Sequence, residues 1–307
     1  MGVIPVEILI FQMGKVASTA IADALRREGL VALQAHIAAP HRLQGKFEIL
    51  TSAGVSNGVA HRMYEDYLQE LKVTFLLSRR LVSGASEGPP TRVISLTRDP
   101  LSWYLSHFAQ NYDHYSTLLK RYHEHHRDES GSFSPEKTFR DVQSSLFDVL
   151  KETREAIDSA NALPRLMAEA DLRDATNVVF SQLNRFLLPL RWFDEDFLPA
   201  TGVDVFSHAF DRQRGIGQID LPGLSILLLR YENLVELSDS IAEFVGLQSL
   251  RLSHKNVSED KGLPIDLKSM QNWVKVRIPS ELKERIYGTR YARHFGYSDG
   301  MICKSPN

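Results

Sequence analysis

The segment VEILIFQMGKVASTAIADALRREGLVALQAHI, residues 6–37, carries the pattern that decides the fold. The continuous apolar run of residues 6–12 is typical of a buried strand. Residues 18–28 repeat apolar side chains at helical spacing and end at Gly29, and residues 31–37 form a second apolar run. A strand, a helix and a strand within about 30 residues predict a right-handed βαβ unit, and therefore a parallel sheet.

Further patterns extend this unit to a larger α/β fold. Residues 92–96 predict a third strand, and residues 215–223 predict a hairpin-like segment followed by a strand at 224–229. Helices are predicted over residues 60–81, 178–190, 233–245 and 280–295, and from Pro100 onward. The charged stretch at residues 112–177 predicts helices without a strand, which we interpret as a helical insertion that could act as a lid. We expect a single domain over residues 1–307, with a parallel sheet and helices on both faces.

The composition excludes several classes of protein. Hydrophobic residues make up 43% of the chain and charged residues 24%, which is ordinary for a soluble globular protein. The net charge of -2 argues against a general nucleic-acid-binding role. The single Cys303 can form no intrachain disulfide, and no apolar run approaches the length of a membrane span. We therefore expect a cytoplasmic protein that does not insert stably into a membrane.

Residues 11–19 (FQMGKVAST) connect the first strand to the helix and predict a phosphate-binding loop. A tight turn from a strand into a helix directs several backbone N–H groups to one point, where the helix dipole adds positive potential. Lys15 adds a mobile cation, and Ser18 and Thr19 add hydroxyl donors. The alternative is an ordinary turn in which Ser18 caps the helix.

Neither this loop nor another motif predicts a metal ion. In a loop that binds ATP or GTP, a first glycine would stand at Leu9 and a hydroxyl would follow Lys15, where this chain has Val16. The stretch YHEHH, residues 122–126, lacks histidines at i and i+4 and has no cysteine nearby, so we interpret it as a solvated helix face. We expect the loop to bind its anion without a metal.

A second candidate site follows the third strand in the stretch SLTRDPLSWYLSHF, residues 95–108. Arg98 leaves the end of the strand, which is where ligands bind in open α/β sheets. Ser106 follows eight residues later in the next helix, and together they could form a charge-assisted clamp for a second phosphate. Trp103, Tyr104 and Phe108 are interpreted as core residues.

The stretches MGKVASTAI and RDPLSWYLSHF resemble the two signatures of sulfotransferases that use 3′-phosphoadenosine 5′-phosphosulfate (PAPS). The chain as a whole is more closely similar to a bacterial branch of capsular polysaccharide synthesis and sulfotransferase-like proteins. The shared features are HFAQN, RWFDEDF with GVDVF, LLLRYENL, NVSED and RYARHF, and the resemblance spans nearly the full length except about residues 115–175. Two positions depart from the family pattern: Ala17 replaces the usual glycine, and Ala20 stands where cytosolic sulfotransferases have tryptophan.

The resemblance implies a P-loop, sulfotransferase-like three-layer fold and a role for each motif residue. Lys15 would neutralise charge that develops on the phosphate of the sulfate donor, and Val16, Ala17, Ser18 and Thr19 would complete the loop around its 5′-phosphate. Arg98 and Ser106 would hold the 3′-phosphate. In the family a late loop closes over the nucleotide, and Lys255 and Asn256 are its candidates here, with a solvated turn as the alternative.

A transfer to a hydroxyl group also requires a general base. His36 ends the second strand, beside the first strand in a βαβ unit, and is the first candidate. His41, on the following loop, is the second candidate, and a purely structural His36 remains the alternative. Arg230, at the end of a later strand, could be a cation of the pocket or an ion-pair partner of Glu232.

The sequence therefore predicts an enzyme that transfers the sulfuryl group of PAPS to a hydroxyl group, with a saccharide as one candidate acceptor and 3′,5′-adenosine diphosphate as product. Two alternatives remain: a P-loop kinase or NTPase, and a catalytically silent nucleotide-binding protein of the same fold. The sequence leaves open the identity of the acceptor and the oligomeric state.

Overall fold

The computed structural model describes residues 7–51, 57–83, 90–125, 133–152, 157–158, 177–252 and 267–298. Within these ranges the chain forms a five-stranded sheet in the order β2-β1-β3-β5-β4. The strands are β1 Glu7–Phe11, β2 Val31–Ala35, β3 Thr91–Thr97, β4 Ile216–Leu221 and β5 Leu224–Arg230. All neighbours are parallel except β4, which pairs antiparallel with β5 across a hairpin. The predicted βαβ unit, third strand and hairpin are confirmed, and the sheet is mostly parallel.

Helices cover this sheet and fill the connections between its strands. They are α1 Ser18–Arg27, α2 Pro40–Thr51, α3 Asn57–Ser83, α4 Pro100–Gln110, α5 Tyr112–His125, α6 Pro135–Glu152, α7 Asn177–Trp192, α8 Leu198–Thr201, α9 Ser238–Val245, α10 Leu267–Arg277, α11 Ser280–Tyr287 and α12 Arg290–Phe295. A π-helical turn, Phe193–Phe197, joins α7 to α8, and short 3₁₀ turns span Val205–Ser207 and Tyr231–Asn233. The resulting α/β fold agrees with the predicted fold class.

The helices differ from the sequence prediction at several places, and the helix predicted over residues 233–245 begins only at Ser238. The helices α2 and α10 were not predicted. The single helix predicted over residues 280–295 is instead two, because Thr289 interrupts it: its hydroxyl donates to Ile286 O at 2.6 Å and accepts from Ala292 N as the cap of α12.

The described part of the predicted insertion is packed into the body of the protein. The apolar face of α6 buries Phe139, Val142, Leu146 and Leu150 completely. On the same helix Gln143 forms hydrogen bonds with the hydroxyl of Tyr104 in α4 at 2.6 and 2.9 Å. Since its apolar face is already buried, α6 is a structural element of the core. A lid remains a prediction for the parts of the insertion that lie outside the described residues, 126–132, 153–156 and 159–176.

An aromatic cluster joins the π-helical turn to the first strand and to the last helix. The ring of Phe11 lies 4.9 Å from that of Trp192 and stacks on Phe197 at 5.5 Å. Phe193, in the same turn, contacts Phe295 at 5.3 Å. The stretches RWFDEDF and RYARHF are therefore packed together directly beneath the end of β1, where the predicted phosphate loop begins. None of the helices described is long and apolar enough to cross a membrane.

Candidate functional site

The loop between β1 and α1 has an unusual backbone. Gly14, Lys15 and Ala17 all adopt positive φ angles, of 84°, 58° and 60°. Left-handed residues within a short turn curl the chain so that successive N–H groups point toward a common centre, which is a recognised anion-binding arrangement. For Lys15 and Ala17 this conformation is strained, because a Cβ atom disfavours it. The structure thus has a strained turn at the position where the sequence predicts a phosphate loop.

The N-terminus of α1 has no side-chain cap. Ala17 occupies the N-cap position and makes no capping hydrogen bond, and Ser18 is the first helical residue. The alternative in which Ser18 caps the helix is therefore wrong: its buried Oγ accepts a hydrogen bond from Gln34 Nε2 at 2.8 Å. Within the described ranges, no protein acceptor bonds the backbone N–H groups of Ser18 and Thr19. Such a terminus is suited to bind an anion.

Arg98 connects the second candidate site to this loop. Its Nη1 donates to the carbonyl oxygen of Lys15 at 2.7 Å, and its guanidinium lies 4.3 Å above the ring of Tyr231. Its Nε is buried and lacks a partner among the described residues. One turn further on, Trp103 Nε1 donates to the carbonyl oxygen of Gly14 at 2.7 Å. The two motifs predicted as separate phosphate sites thus lie side by side.

The backbone around Arg98 is held by a buried polar network. The hydroxyl of Tyr291 accepts from Arg98 N at 3.0 Å and lies 2.8 Å from Arg98 O, to which it donates. Asp99 caps α4 by accepting from Ser102 N, and its own N–H donates to Glu232. Burial raises the pKa of Asp99, and hydrogen bonds from Ser102 offset part of this increase. Burial also raises the pKa of Glu232.

The other residues of the second motif are divided between core and surface. Trp103, Tyr104 and Phe108 are buried, as predicted. Ser106 is half-buried on α4, one turn beyond Trp103. Among the described residues it forms no hydrogen bond with Arg98. The structure therefore places Ser106 on the helix that follows Arg98, and the clamp formed by the two side chains remains a prediction.

His36 lies directly beside the loop. The pairing of Phe11 with Ala35 aligns His36 with Gln12, and the His36 ring would be 3.9 Å from a Cβ atom placed on Gly14. His36 Nδ1 lies 3.1 Å from Gln12 O and 3.0 Å from Gln12 Nε2. If Nδ1 carries the proton and donates to Gln12 O, then Nε2 is the basic nitrogen. This arrangement is compatible with a general base.

The electrostatics of His36 favour its neutral form. His36 is exposed to solvent, but the protein around its ring removes part of the water that would stabilise a charged imidazole. This desolvation is the main cause that lowers its pKa below 6.5. The hydrogen bond with Gln12 opposes the shift, and the positive charge of Lys15 adds to it. A neutral imidazole at pH 7 is the form that can accept a proton.

Gln12 bridges the loop and His36. Its side chain is fully buried, and its Oε1 accepts from Gly14 N while its Nε2 faces His36 Nδ1. The sequence pattern did not predict this role. The available signal was a polar residue at the end of an otherwise apolar strand, where burial requires a hydrogen-bond partner.

The chain that follows His36 is held by residues far away in sequence. Trp192 Nε1 donates to His36 O at 3.1 Å. Asp196, also in the RWFDEDF stretch, accepts from the N–H groups of Ala38 and Ala39 at 3.4 Å and pairs with Arg42. Burial raises the pKa of Asp196 to about 6, and Arg42 partly offsets this effect. The π-helical turn thus positions the candidate base.

His41 and Arg230 differ in position or role from the sequence prediction. His41 lies exposed on α2, so its predicted place in a loop is wrong. Arg230 is buried and donates to the carbonyl oxygen of Phe295. Within the described part it forms no ion pair with Glu232, so that prediction is not supported, and its role as a cation of the pocket stays a prediction. Lys255 and Asn256 lie outside the described residues.

A cavity of about 650 Å³ lies away from these residues, between the β4–β5 hairpin and α9. Its lining includes Arg92, Ser225 and Glu243 and none of the predicted site residues. Its mixture of charges does not indicate a ligand class, so we take the β1–α1 loop as the candidate site. Among the described residues, no group of three or more His, Cys, Asp or Glu side chains is arranged to hold a metal ion.

Comparison with known families identifies a relationship in the C-terminal half. The family model NKWYS, described as "Putative capsular polysaccharide synthesis protein", matches residues 173–298. This part of the chain is similar to a capsular polysaccharide synthesis family. No curated protein and no solved structure matches the chain.

The matched segment covers less than half of the chain and does not include the loop, His36 or Arg98. It does include residues that hold them in place: Trp192 and Asp196 behind His36, and Tyr231 and Tyr291 beside Arg98. The part of the chain that resembles the family therefore supports the candidate site structurally.

Proposed function

We propose that this protein transfers the sulfuryl group of PAPS to a hydroxyl group of a saccharide. The observation that carries the proposal is the contact between the two motifs, in which Arg98 Nη1 donates to Lys15 O at 2.7 Å. Two anion-binding features lie at this contact, the uncapped N-terminus of α1 and a guanidinium with an unpartnered, buried Nε. A nucleotide with phosphates at two positions suits such a pair. The similarity of residues 173–298 to a capsular polysaccharide synthesis family supports a saccharide acceptor.

PAPS supplies a sulfuryl group attached to a phosphate that leaves when the group is transferred. The chain's own residues bind and neutralise that phosphate. The N–H groups of the loop and of the α1 terminus, with the hydroxyls of Ser18 and Thr19, hold its oxygens, and the Lys15 ammonium compensates its charge. Arg98 holds the second phosphate, with Ser106 as its neighbour on α4.

His36 serves as the base for the acceptor hydroxyl. Its lowered pKa leaves the imidazole neutral at pH 7, and the hydrogen bond from Nδ1 to the backbone oxygen of Gln12 orients the ring against the loop. The ring can then remove the hydroxyl proton while the oxygen attacks sulfur. Lys255 and Asn256 remain candidates for a loop that closes over the nucleotide.

Calorimetry with 3′,5′-adenosine diphosphate and with ATP–Mg²⁺ tests the binding part of the proposal. We expect the bisphosphate to bind and Arg98→Ala to weaken it by at least about tenfold, the loss of one charge-assisted contact. Arg92→Ala is the matched control, because Arg92 lies at the other end of β3 and donates to Val245 O. Preferential binding of ATP–Mg²⁺ would instead favour the kinase alternative.

Transfer of labelled sulfate from PAPS to saccharide acceptors tests the catalytic part. We expect transfer by the natural protein and none by Lys15→Ala. Bisphosphate binding without transfer to any hydroxyl acceptor would favour a catalytically silent binding protein.

A further inference from the structure

Helix α3 carries a stripe of large apolar side chains on its outer surface. Tyr64, Leu68, Leu71 and Phe75 expose between 43% and 63% of their surface. The opposite side of the helix packs inward, with Val73 and Leu77 buried. Isolated exposed apolar residues are common, but a continuous row of four on one helix face indicates an interaction surface.

The spacing of the stripe is that of a coiled-coil seam. Successive residues are separated by four, three and four positions, which matches alternating a and d positions of a heptad. A seam of this width is buried by one other helix, whereas a face that enters a membrane surface or a globular core is usually wider. The geometry therefore points to a helical partner.

We propose that the partner is α3 of a second copy of this chain, in an antiparallel arrangement about a two-fold axis. An interface of this symmetry brings the same patch of both copies together, so the patch must complement itself. Antiparallel pairing that places Leu68 level with Leu71 of the second copy also places Tyr64 level with its Phe75. The whole stripe is then matched in one register.

The charges beside the stripe favour the antiparallel orientation. Glu65 and Lys72 lie on the same flank of the seam, seven residues apart. In a parallel pair this flank would face the other flank of the second copy, which presents the uncharged Tyr67 and Thr74. In the antiparallel pair the same flanks meet, and Glu65 lies two residues, or about 3 Å along the axis, from Lys72 of the second copy. Both residues also interact within their own chain, and the contact between copies adds to those interactions.

The neighbouring helix α2 enlarges the surface. The exposed Phe47 of α2 contacts Tyr67 of α3, with ring centroids 5.9 Å apart, and Ile49 is exposed as well. Antiparallel pairing places the α2 helices of both copies on the same side of the seam. The stripe itself spans about 16 Å of helix, less than an interface of about 800 Å² per partner requires. We therefore expect a reversible dimer.

Sedimentation velocity of the full chain between about 1 and 200 µM tests the proposal, since a small reversible interface dissociates in this range. The expected result is a monomer–dimer equilibrium that Leu68→Glu weakens by at least about tenfold, because each substitution acts twice in a two-fold interface. Val276→Glu is the matched control: Val276 is 78% exposed on α10, away from the stripe. Circular dichroism verifies that each variant is folded.

A charge exchange tests the orientation. Glu65→Lys alone and Lys72→Glu alone each place like charges opposite one another and should weaken the homodimer. A mixture of the two variants restores opposite charges and should associate more tightly than either alone. A parallel pair predicts no such recovery.

Three results would overturn the proposal: a monomer at the highest concentration, a dimer that Leu68→Glu leaves unchanged, or a mixture that associates no better than its components. Binding to vesicles of phosphatidylcholine and phosphatidylglycerol, with no self-association, would show that the stripe contacts membranes instead. The outcome is independent of the proposed sulfuryl transfer, because no site residue is altered.

Discussion

Ala17 holds a left-handed backbone conformation, with φ 60° and ψ 21°, at the start of α1. The sulfotransferase signature that the loop resembles has glycine at this position, which agrees with the backbone, since only glycine adopts this conformation without strain. The chain retains the conformation with alanine, so the turn around the candidate anion site is strained.

Ala17→Gly should raise the free energy of unfolding by about 1 kcal/mol. The substitution removes the steric cost of a left-handed alanine, and the greater freedom of glycine in the unfolded chain offsets part of this gain. Urea denaturation measures the change. The control Ala22→Gly lies in right-handed helix and is fully buried, so it should lower the free energy of unfolding instead. A loss of stability in Ala17→Gly similar to that in the control would contradict the assigned backbone conformation.

His36 should impose an acidic limb on the rate of transfer. Desolvation lowers its pKa below 6.5, so the rate should fall as the pH decreases through that lowered pKa and should level off toward neutral pH. A pH–rate profile measures this, and His36→Ala should lose both the limb and most of the activity. His41→Ala, an exposed histidine five residues away, should keep the profile unchanged. An unchanged acidic limb in His36→Ala would assign the base to another residue.

At the scale of elements, the predicted elements are those with a strong local pattern. The strands β1 and β5 contain the apolar runs ILIF and ILLL, β3 combines apolar residues with β-branched ones, and α1 buries one regular stripe. Helix α2 escaped prediction because Leu43 is its only buried residue while Phe47 and Ile49 are exposed, so no single apolar face marks it. The same absence of a clear stripe hides helices whose contacts are polar.

The contact between the π-helical turn and the segment after His36 should depend on pH. Asp196 is fully buried, and its pKa rises from 3.8 to about 6 on folding. The folded protein therefore binds the proton of Asp196 more tightly than the unfolded chain does. The protonated carboxyl group favours folding fully below pH 4, and this contribution is lost as the pH rises to about 6. In Asp196→Asn the loss should be absent.

The difference in unfolding free energy between the natural protein and Asp196→Asn should thus fall by about 3 kcal/mol between pH 3.5 and pH 7. Urea titrations at a series of pH values measure it. The exposed Asp220→Asn, on the edge strand β4, serves as the control for removing a carboxylate from the surface. A difference for Asp196→Asn that is constant with pH would show that its carboxylate is ionised throughout.

At the scale of the whole molecule, the insertion helices belong to the same core as the sheet. Leu146 of α6 is fully buried against it. Leu146→Ala should lower the free energy of unfolding by about 3 kcal/mol, the usual cost of a cavity in a packed core. Far-UV circular dichroism and tryptophan fluorescence should still report one coincident transition.

The matched control for this substitution is Val235→Ala, at a residue that is 45% exposed, and it should change the free energy of unfolding by less than about 0.5 kcal/mol. Two separate transitions in the natural protein would show instead that α6 unfolds independently of the sheet.

Four features could be read from the sequence alone: the βαβ unit, the hairpin, the lysine-bearing loop at the end of β1 and the arginine at the end of β3. Each is encoded in a short stretch whose apolar period or turn residues act locally. Other features emerge only when the chain is folded: Arg98 reaches the Lys15 carbonyl, Gln12 aligns His36, and Trp192 and Asp196 hold the chain behind it. These contacts join residues that are brought together by strand register or by packing across the core. A hydrogen bond between residues far apart in the chain leaves no periodic pattern in the sequence around either residue.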